Sequence, residues 1–462
     1  MRATFFWWVP SFSKCFQTLR HPKESTHQTE GTRAWRDVDL LYHGDFDKHE
    51  VFWWQRSGYA LAVFLQHSFY SYKGQLKILD FFARFIIPWM GVVDESGSEQ
   101  WKSFMTDDHN PVELSWDWSL TRKPPTMRLS FEPIGVLAGT YKDPHNSYSA
   151  AEFQRALLKR PHNYQMQLFY HFDDYFNFGV SIPSDRGHQS KIFWAFNLDE
   201  NDIAAKVYFT PRYKAMETGK TNLEVITEAI KAFPQYAEQD LSALSLFQAY
   251  VDEQKKSPLE VEALAIDLVD PSQSRLKIYF RSRETSFQSL RSIMTLGGRL
   301  INKDVKDIAQ KGLENLRRLW DGVFEQHGAT DEESLANSTH ETAGILYYVD
   351  FKPGNKVPKV KVYLPVRHYA KSDWQVMVAL KEYMSTAISE SQGPEYLSAN
   401  DSPTSFCEAM KAMFGEDALQ NSTGKQTYLS CSIQQGGMLR VTSYLNPRIR
   451  DSLVSPTAKK EY

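Results

Sequence analysis

The chain has 462 residues, with 53 Lys and Arg against 56 Asp and Glu, a formal net charge of −3 and 14% aromatic residues. That length can bury a large core, and the near-neutral balance excludes both a global basic field for nucleic acid and an acidic tail, so any positive potential must be local. The three cysteines, Cys15, Cys407 and Cys431, form no CxxC pair and cannot all be disulfide-bonded within one chain, which fits a reducing compartment and makes a cytoplasmic location the expectation.

Residues 1–45 mix Thr, His, Lys and Glu without a sustained period and read as an N-terminal extension of uncertain order. Pro10 stops the short apolar run that follows Met1, and no stretch elsewhere approaches the length of a membrane span. One domain is expected over residues 46–450, with a C-terminal tail at 451–462. Leu61, Phe64, Leu65 and Ser68, then Leu76, Leu79, Phe82, Ala83 and Ile86 up to Pro88, recur at helical spacing and predict two amphipathic helices before the first strands.

From Val112 the alternation becomes strand-like, with Val112, Leu114, Trp116 and Trp118 on one face and Glu113, Ser115 and Asp117 on the other. A proline-rich link at 122–126 returns the chain into residues 127–132, so a hairpin can bring Glu113 and Arg128 to one polar face. After a loop at 135–146, a second unit runs from a helix at 150–158, through an aromatic stretch at 164–178, to strands at 192–198 and 205–210. Residues 224–254 are helical in period, with Pro234 expected to kink or divide them. A strand at 275–280, a helix at 287–294 and a helix capped by Asp304 follow. Strands at 344–352 and 360–366, a helix at 371–389, a helix opened by Ser402 and closed at Gly415, and a hairpin of 428–433 with 438–445 complete the chain. Helices followed by a hairpin recur throughout.

The strand at 275–280 puts Arg275, Lys277 and Tyr279 on one face and Leu276, Ile278 and Phe280 on the other. A single strand of this kind is usually a solvated face over a core. Here Lys206-Val-Tyr208, Lys361-Val-Tyr363 and Arg440-Val-Thr442-Ser-Tyr444 repeat it, and Arg128-Leu-Ser130 gives a version without the tyrosine, at intervals of roughly 70 to 85 residues. Equivalent strands closed into a barrel would turn their basic and tyrosine faces into one lumen. Such a lumen suits an anion whose other end becomes a carbocation. Charge-assisted hydrogen bonds of roughly 1.5 to 3 kcal/mol each from Arg128, Lys206, Arg275, Lys277 and Lys361 would bind a diphosphate and stabilise the charge it gains on leaving. Tyr208, Tyr279, Tyr363 and Tyr444 would donate O–H to phosphate or shield an allylic cation, by contacts worth about 0.5 to 2 kcal/mol. A non-catalytic barrel that binds an anionic ligand would use the same strands.

Phosphate-loop, dinucleotide, serine-hydrolase and zinc signatures are absent. Asp107-Asp108 and Asp173-Asp174 do not complete a DDxxD-type cluster, so a metal-bridged diphosphate is not supported and no metal cofactor is expected.

Trp53-Trp54, Met105-Thr-Asp-Asp-x-x-Pro-x-Glu113, Arg128-x-Ser-x-Glu-Pro-Ile-Gly135, Ala138-Gly-Thr140 with Asp143-Pro144, Arg275-x-Lys-x-Tyr279 and Lys361-x-Tyr363 together closely resemble the fungal aromatic prenyltransferases of the dimethylallyltryptophan synthase type. The resemblance covers residues 52–447. It implies an α+β fold, a barrel of about ten antiparallel strands ringed by helices and built from five ααββ repeats, and a soluble enzyme that needs no metal. It also implies that Glu113 contacts an indole N–H of the acceptor and assists proton removal, that Arg128, Lys206, Arg275, Lys277 and Lys361 hold the diphosphate of dimethylallyl diphosphate, and that Tyr208, Tyr279, Tyr363 and Tyr444 form a tyrosine shield. Phe104 and Met105 fall where the family contacts the acceptor, and Lys191 aligns loosely with a lysine beside it. Arg440 is added from strand periodicity.

Three features depart from tryptophan-using members: a longer stretch between Glu113 and Arg128, Lys361 where some have glutamine, and no arginine at 261–274 to hold an amino-acid carboxylate. The Ser115-Trp-Asp-Trp118 wording looks more like members that act on large polycyclic acceptors. The expected activity is metal-independent transfer of a dimethylallyl group to a carbon of an indole diterpene. A phenolic, xanthone-like polyketide and tryptophan or a tryptophan-derived peptide are the alternative acceptors. Expected partners are these small molecules, with no nucleic acid and no membrane span; the oligomeric state is open between monomer and homodimer.

Overall fold

The computed structural model describes residues 31–94, 96–118, 120, 123–159, 164–177, 190–392 and 401–447. Ten strands carry the architecture: β1 Val112–Asp117, β2 Thr126–Phe131, β3 Ile192–Leu198, β4 Ile203–Phe209, β5 Glu260–Asp267, β6 Leu276–Ser282, β7 Ile345–Phe351, β8 Lys359–Leu364, β9 Gln426–Ile433 and β10 Leu439–Leu445. Each pairs antiparallel with its sequence neighbours, and β1 pairs with β10 through Leu114↔Leu445 and Ser115↔Tyr444, which closes the barrel and leaves no sheet edge.

A pair of helices precedes each hairpin. The pairs are α1 Tyr59–His67 with α2 Tyr72–Phe81, α3 Ser149–Leu158 with α4 Gln167–Tyr175, α5 Asn222–Ala232 with α6 Ser242–Glu253, α7 Phe287–Met294 with α8 Lys306–Phe324, and α9 Asp373–Gln392 with α10 Ser402–Phe414. The duplication implied by the recurring basic strands is thus a fivefold ααββ repeat.

Period-two alternation explains how the barrel sits in its helical ring. The outward set of β1, Val112, Leu114 and Trp116, is fully buried under helices, and the Trp116 and Trp118 rings lie 5.3 and 5.0 Å from Phe406 of α10. Those large apolar faces form the core, while the lumen is left to the polar set. Gly312 lets α8 approach the β9–β10 turn, since a Cβ there would fall 2.4 Å from Ile433 Cγ2.

One local expectation holds and several change. Pro234 divides the helical stretch, because Phe233 before it is held extended (ψ 119°) and α5 ends at Ala232. Asp304 does not cap α8; Asn302 Oδ1 accepts from the Asp304 and Val305 N–H groups. Asp401, rather than Ser402, caps α10 by accepting from Thr404 N. Helix Arg33–Tyr42, capped by Thr32, buries Ala34, Trp35 and Val38, and Trp35 stacks on Trp54 at 5.9 Å. Packed structure therefore starts ahead of residue 46; residues 1–30 and the tail at 451–462 lie outside the described residues. No helix among the described residues is long and apolar enough to cross a membrane.

Candidate active site

The strand registers stack the inward side chains in layers. Arg128 lies opposite Ser115, Lys206 opposite Asp267, Lys277 opposite Asp350, and Tyr348 opposite both Tyr279 and Lys361. Arg128, Lys206, Arg275, Lys277, Lys361 and Arg440 thereby come to line one cavity of about 600 Å³. All five expected diphosphate ligands and the strand-periodic Arg440 are brought together.

Three carboxylates hold four of these cations in place. Asp117 accepts from Arg128 Nη2 and Arg440 Nη2, each at 2.5 Å, and from Thr442 Oγ1 at 2.7 Å. Asp267 accepts from Lys277 Nζ and Arg275 Nε, each at 2.9 Å, and Asp350 lies 3.6 Å from Arg275 Nη1. Six cations against three carboxylates leave a surplus of three positive charges when all are ionised, which complements a diphosphate. Arg128 Nε is buried without a hydrogen-bond partner and remains available as a donor.

Crowding shifts these groups. Burial, reinforced by the neighbouring Arg128 and Lys277, drives Lys206 well below the ordinary lysine range. Burial brings Lys361 down to about 7 despite the attraction of Asp117. For Asp117 and Asp267 burial acts upward, but the adjoining cations outweigh it and hold both carboxyls low.

Above the cations lies an aromatic layer. Tyr279 has its ring centre 5.6 Å from Tyr208, 5.2 Å from Tyr348 and 5.9 Å from Tyr363, and Tyr363 is 5.4 Å from Tyr444. The Tyr363 hydroxyl is 3.4 Å from those of Tyr279 and Tyr444. All four expected shield tyrosines are present, and Tyr348, which the sequence did not single out, is the fifth.

Glu113 projects into the lumen one layer further on, across from Ser130. It is 8% exposed and accepts from Thr427 Oγ1 at 2.6 Å. Burial raises its carboxyl to about 7, against the opposing pull of the Thr427 hydrogen bond and the Arg367 charge. A carboxylate poised there can take a proton near neutral pH.

Loops complete this end. Phe104 meets Phe193 edge-on at 5.3 Å, and Phe193 stacks on Tyr208 at 4.1 Å, which joins the expected acceptor wall to the tyrosine layer; Met105 beside it is 9% exposed. Glu132 holds the 101–104 loop. Its fully buried carboxylate accepts from Trp101 Nε1 at 3.0 Å, Ser103 Oγ at 2.5 Å, Phe104 N at 3.3 Å and the Ser190 hydroxyl. Lys191 engages Asn177 Oδ1 at 3.4 Å, with Asp173 nearby, at the end of α4.

Two arginines that the sequence did not flag also sit here. Arg281 bonds Glu262 at 2.7 Å and Thr342 O at 2.8 Å. Arg367 lies 4.7 Å over the Tyr428 ring, which is 6.2 Å from Tyr363, and bonds Asp107 at 3.1 Å. The 261–274 stretch thus contributes Glu262, while arginines arrive from β6 and from the turn after β8. Arg281 continues the Arg275-x-Lys277-x-Tyr279 alternation by one step, a signal that could have found it.

Asp107, His340 and His368 bring potential ligand atoms within 4.8 Å of one another. Arg367 Nε stands 3.1 Å from Asp107 Oδ2 and 3.2 Å from His368 Nε2, so a guanidinium already occupies the cation position and the set does not suit a resident metal. Asp108 bonds Thr106 Oγ1 at 2.7 Å and is not part of that set.

Residues 49–398 match the family model described as tryptophan dimethylallyltransferase. The chain is 33% identical over 417 residues to a 4-O-dimethylallyl-L-tyrosine synthase of Claviceps purpurea, covering 87% of this chain and 89% of that one. It is 29% identical over 420 residues to a 7-dimethylallyltryptophan synthase of Aspergillus fumigatus, covering 86% and 85%. In fold it is similar to the crystal structure of NotF in complex with brevianamide F and DMSPP, with a TM-score of 0.75, 23% identity, and 90% and 98% of the two chains covered.

Proposed function

The chain belongs to the tryptophan dimethylallyltransferase family and is an aromatic prenyltransferase; we propose that it moves a dimethylallyl group from dimethylallyl diphosphate to an electron-rich aromatic acceptor without a metal. The observation that carries this reading is the order of the lumen: a surplus of fixed cations, then tyrosines, then Glu113. The C1–O bond of the donor breaks with its electron pair going to diphosphate, whose new charge is met by the Arg and Lys side chains. The allylic cation lies among the tyrosine faces, which stabilise it and exclude water. A ring atom of the acceptor attacks to form the new bond, and the proton it then loses passes to Glu113.

An indole diterpene or a phenolic polyketide is the acceptor suggested by the Ser115-Trp-Asp-Trp118 wording. The ionic groups of the acceptor end favour a second reading, an aromatic α-amino acid or a small derivative of one. Arg281 or Arg367 would take its carboxylate, and Glu262 or Asp107 its ammonium. A large apolar polycycle would instead leave these charges facing hydrocarbon. The test is mass spectrometry of products from purified protein, EDTA and dimethylallyl diphosphate, offered tyrosine, tryptophan, an indole diterpene and a hydroxyxanthone in parallel. One added C5 unit on an amino acid is the expected result. Addition only to the diterpene or the xanthone would keep the reaction and overturn the amino-acid reading, and no addition to any aromatic acceptor would overturn both.

A further inference from the structure

The cation layer has the tyrosines on one side and a second basic recess on the other. Past Arg275 and Lys359 the lumen runs on between residues 357–360, Gln434, and Val305 and Ile308 at the start of α8. There it meets a recess of about 430 Å³ at the β7–β8 turn. Arg275, Asp350, Val357 and Lys359 line both spaces, and the recess adds Lys352, Asn355 and Lys356. Lys352 Nζ donates to a neutral partner, Gln273 Oε1 at 3.0 Å, while Lys356 pairs with Asp240 at the rim.

We infer that this recess is an outer diphosphate subsite, through which dimethylallyl diphosphate enters the cation layer and inorganic diphosphate leaves it. The inference rests on reading the layer as the donor site. Two orders match. From inside outward the protein presents tyrosines, cations, recess; a donor that enters tail first presents C5 group, diphosphate, solvent. After ionisation, diphosphate lies on the recess side of the layer, whereas the other direction is obstructed by the touching rings of Tyr279, Tyr348 and Tyr363 and by the acceptor. Lysines at the rim of a low-dielectric opening raise the local concentration of an anion and speed its capture. No bond is made or broken at this subsite.

The test compares K352E/K356E with wild type and with K48E/K73E, which carries the same change in charge on exposed helix positions outside the recess. The readouts are kcat/KM for dimethylallyl diphosphate at saturating acceptor and competitive inhibition by inorganic diphosphate. At about 10 mM ionic strength the recess variant is expected to lose about tenfold in donor kcat/KM, with inhibition by diphosphate weakened in parallel, and at about 150 mM most of the difference disappears. Its kcat and acceptor KM stay at the wild-type values, which also reports an intact fold; should the charge reversal not fold, K352A/K356A is expected to lose about threefold. Equal donor kcat/KM at low ionic strength, or an equal loss in K48E/K73E, would overturn the subsite while leaving the cation layer standing. Failure of inorganic diphosphate to compete with the donor in wild type would overturn both.

Discussion

The two ends of the lumen are built by different means. At the cation end every functional side chain comes from a strand or its first flanking residue, and the basic position recurs in all five ααββ units, with a carboxylate in register at Lys206↔Asp267 and Lys277↔Asp350. At the Glu113 end the wall comes from unrelated segments: the 101–105 loop tied to Glu132, Asp107, the β7 approach with His340, and Arg367 after β8. On the proposed reading the barrel repeat supplies the anion and carbocation site, and the acceptor end is shaped mainly by non-repeating loops, joined by Glu262 of β5 and Arg281 of β6.

Substitutions can break that division, and the largest effect is expected where the two ends meet. Glu113→Gln keeps the Thr427 hydrogen-bonding position but cannot accept a proton, so turnover should fall by about 10² to 10⁴ with donor affinity unchanged. Steady-state kinetics with equilibrium diphosphate binding checks this, and a fully active variant would remove Glu113 from proton transfer. Within the repeat, Lys277→Met removes a charge-assisted donor and unbalances Asp267, so donor KM should rise about 10- to 100-fold with acceptor KM little changed. Within the loops the split should reverse. Glu132→Gln replaces an acceptor of four hydrogen bonds by one that must also donate, loosening Phe104; acceptor KM should rise about tenfold while inorganic diphosphate binds as in wild type. An equal rise in both KM values would mean that Glu132 supports the barrel as a whole.

pH gives the smallest and sharpest comparison. Glu113 must lose its proton to act as base, so activity should climb as pH rises through about 7. Lys361 must keep its proton to hold diphosphate, so donor capture should decline as pH rises through about 7. Donor kcat/KM is therefore expected to trace a narrow bell near neutrality. Glu113→Gln should remove the acidic limb and Lys361→Gln the alkaline one; a flat profile from pH 6 to 8 in wild type would contradict both assignments.

The same division explains what could be read beforehand. Arg275, Lys277 and Tyr279 announce themselves because a strand exposes alternate residues to one face and because the pattern recurs, so barrel, cation layer and tyrosine shield were legible. Their counter-charges were not. Asp267 lies on β5, whose Glu-Val-Glu-Ala-Leu-Ala-Ile-Asp alternation has alanines on the inward face and went unrecognised as a strand. Asp117 was seen on the Glu113 face, but its pairing with Arg440 spans the closure between β1 and β10, which only the closed barrel provides. Glu132 stood in a quoted motif without a role, since its partners at 101–104 and 190 are distant along the chain. Arg367 follows no period at all. Residues placed by loops carry no periodic signal.

The central claim is that fixed side chains alone neutralise the leaving diphosphate. Its most direct test is the rate of diphosphate release from dimethylallyl diphosphate by purified protein with an accepted aromatic substrate, in excess EDTA and again with magnesium. Equal rates, each abolished by Lys277→Met at low donor concentration, are the result this account predicts. Release that occurs only with magnesium would contradict it.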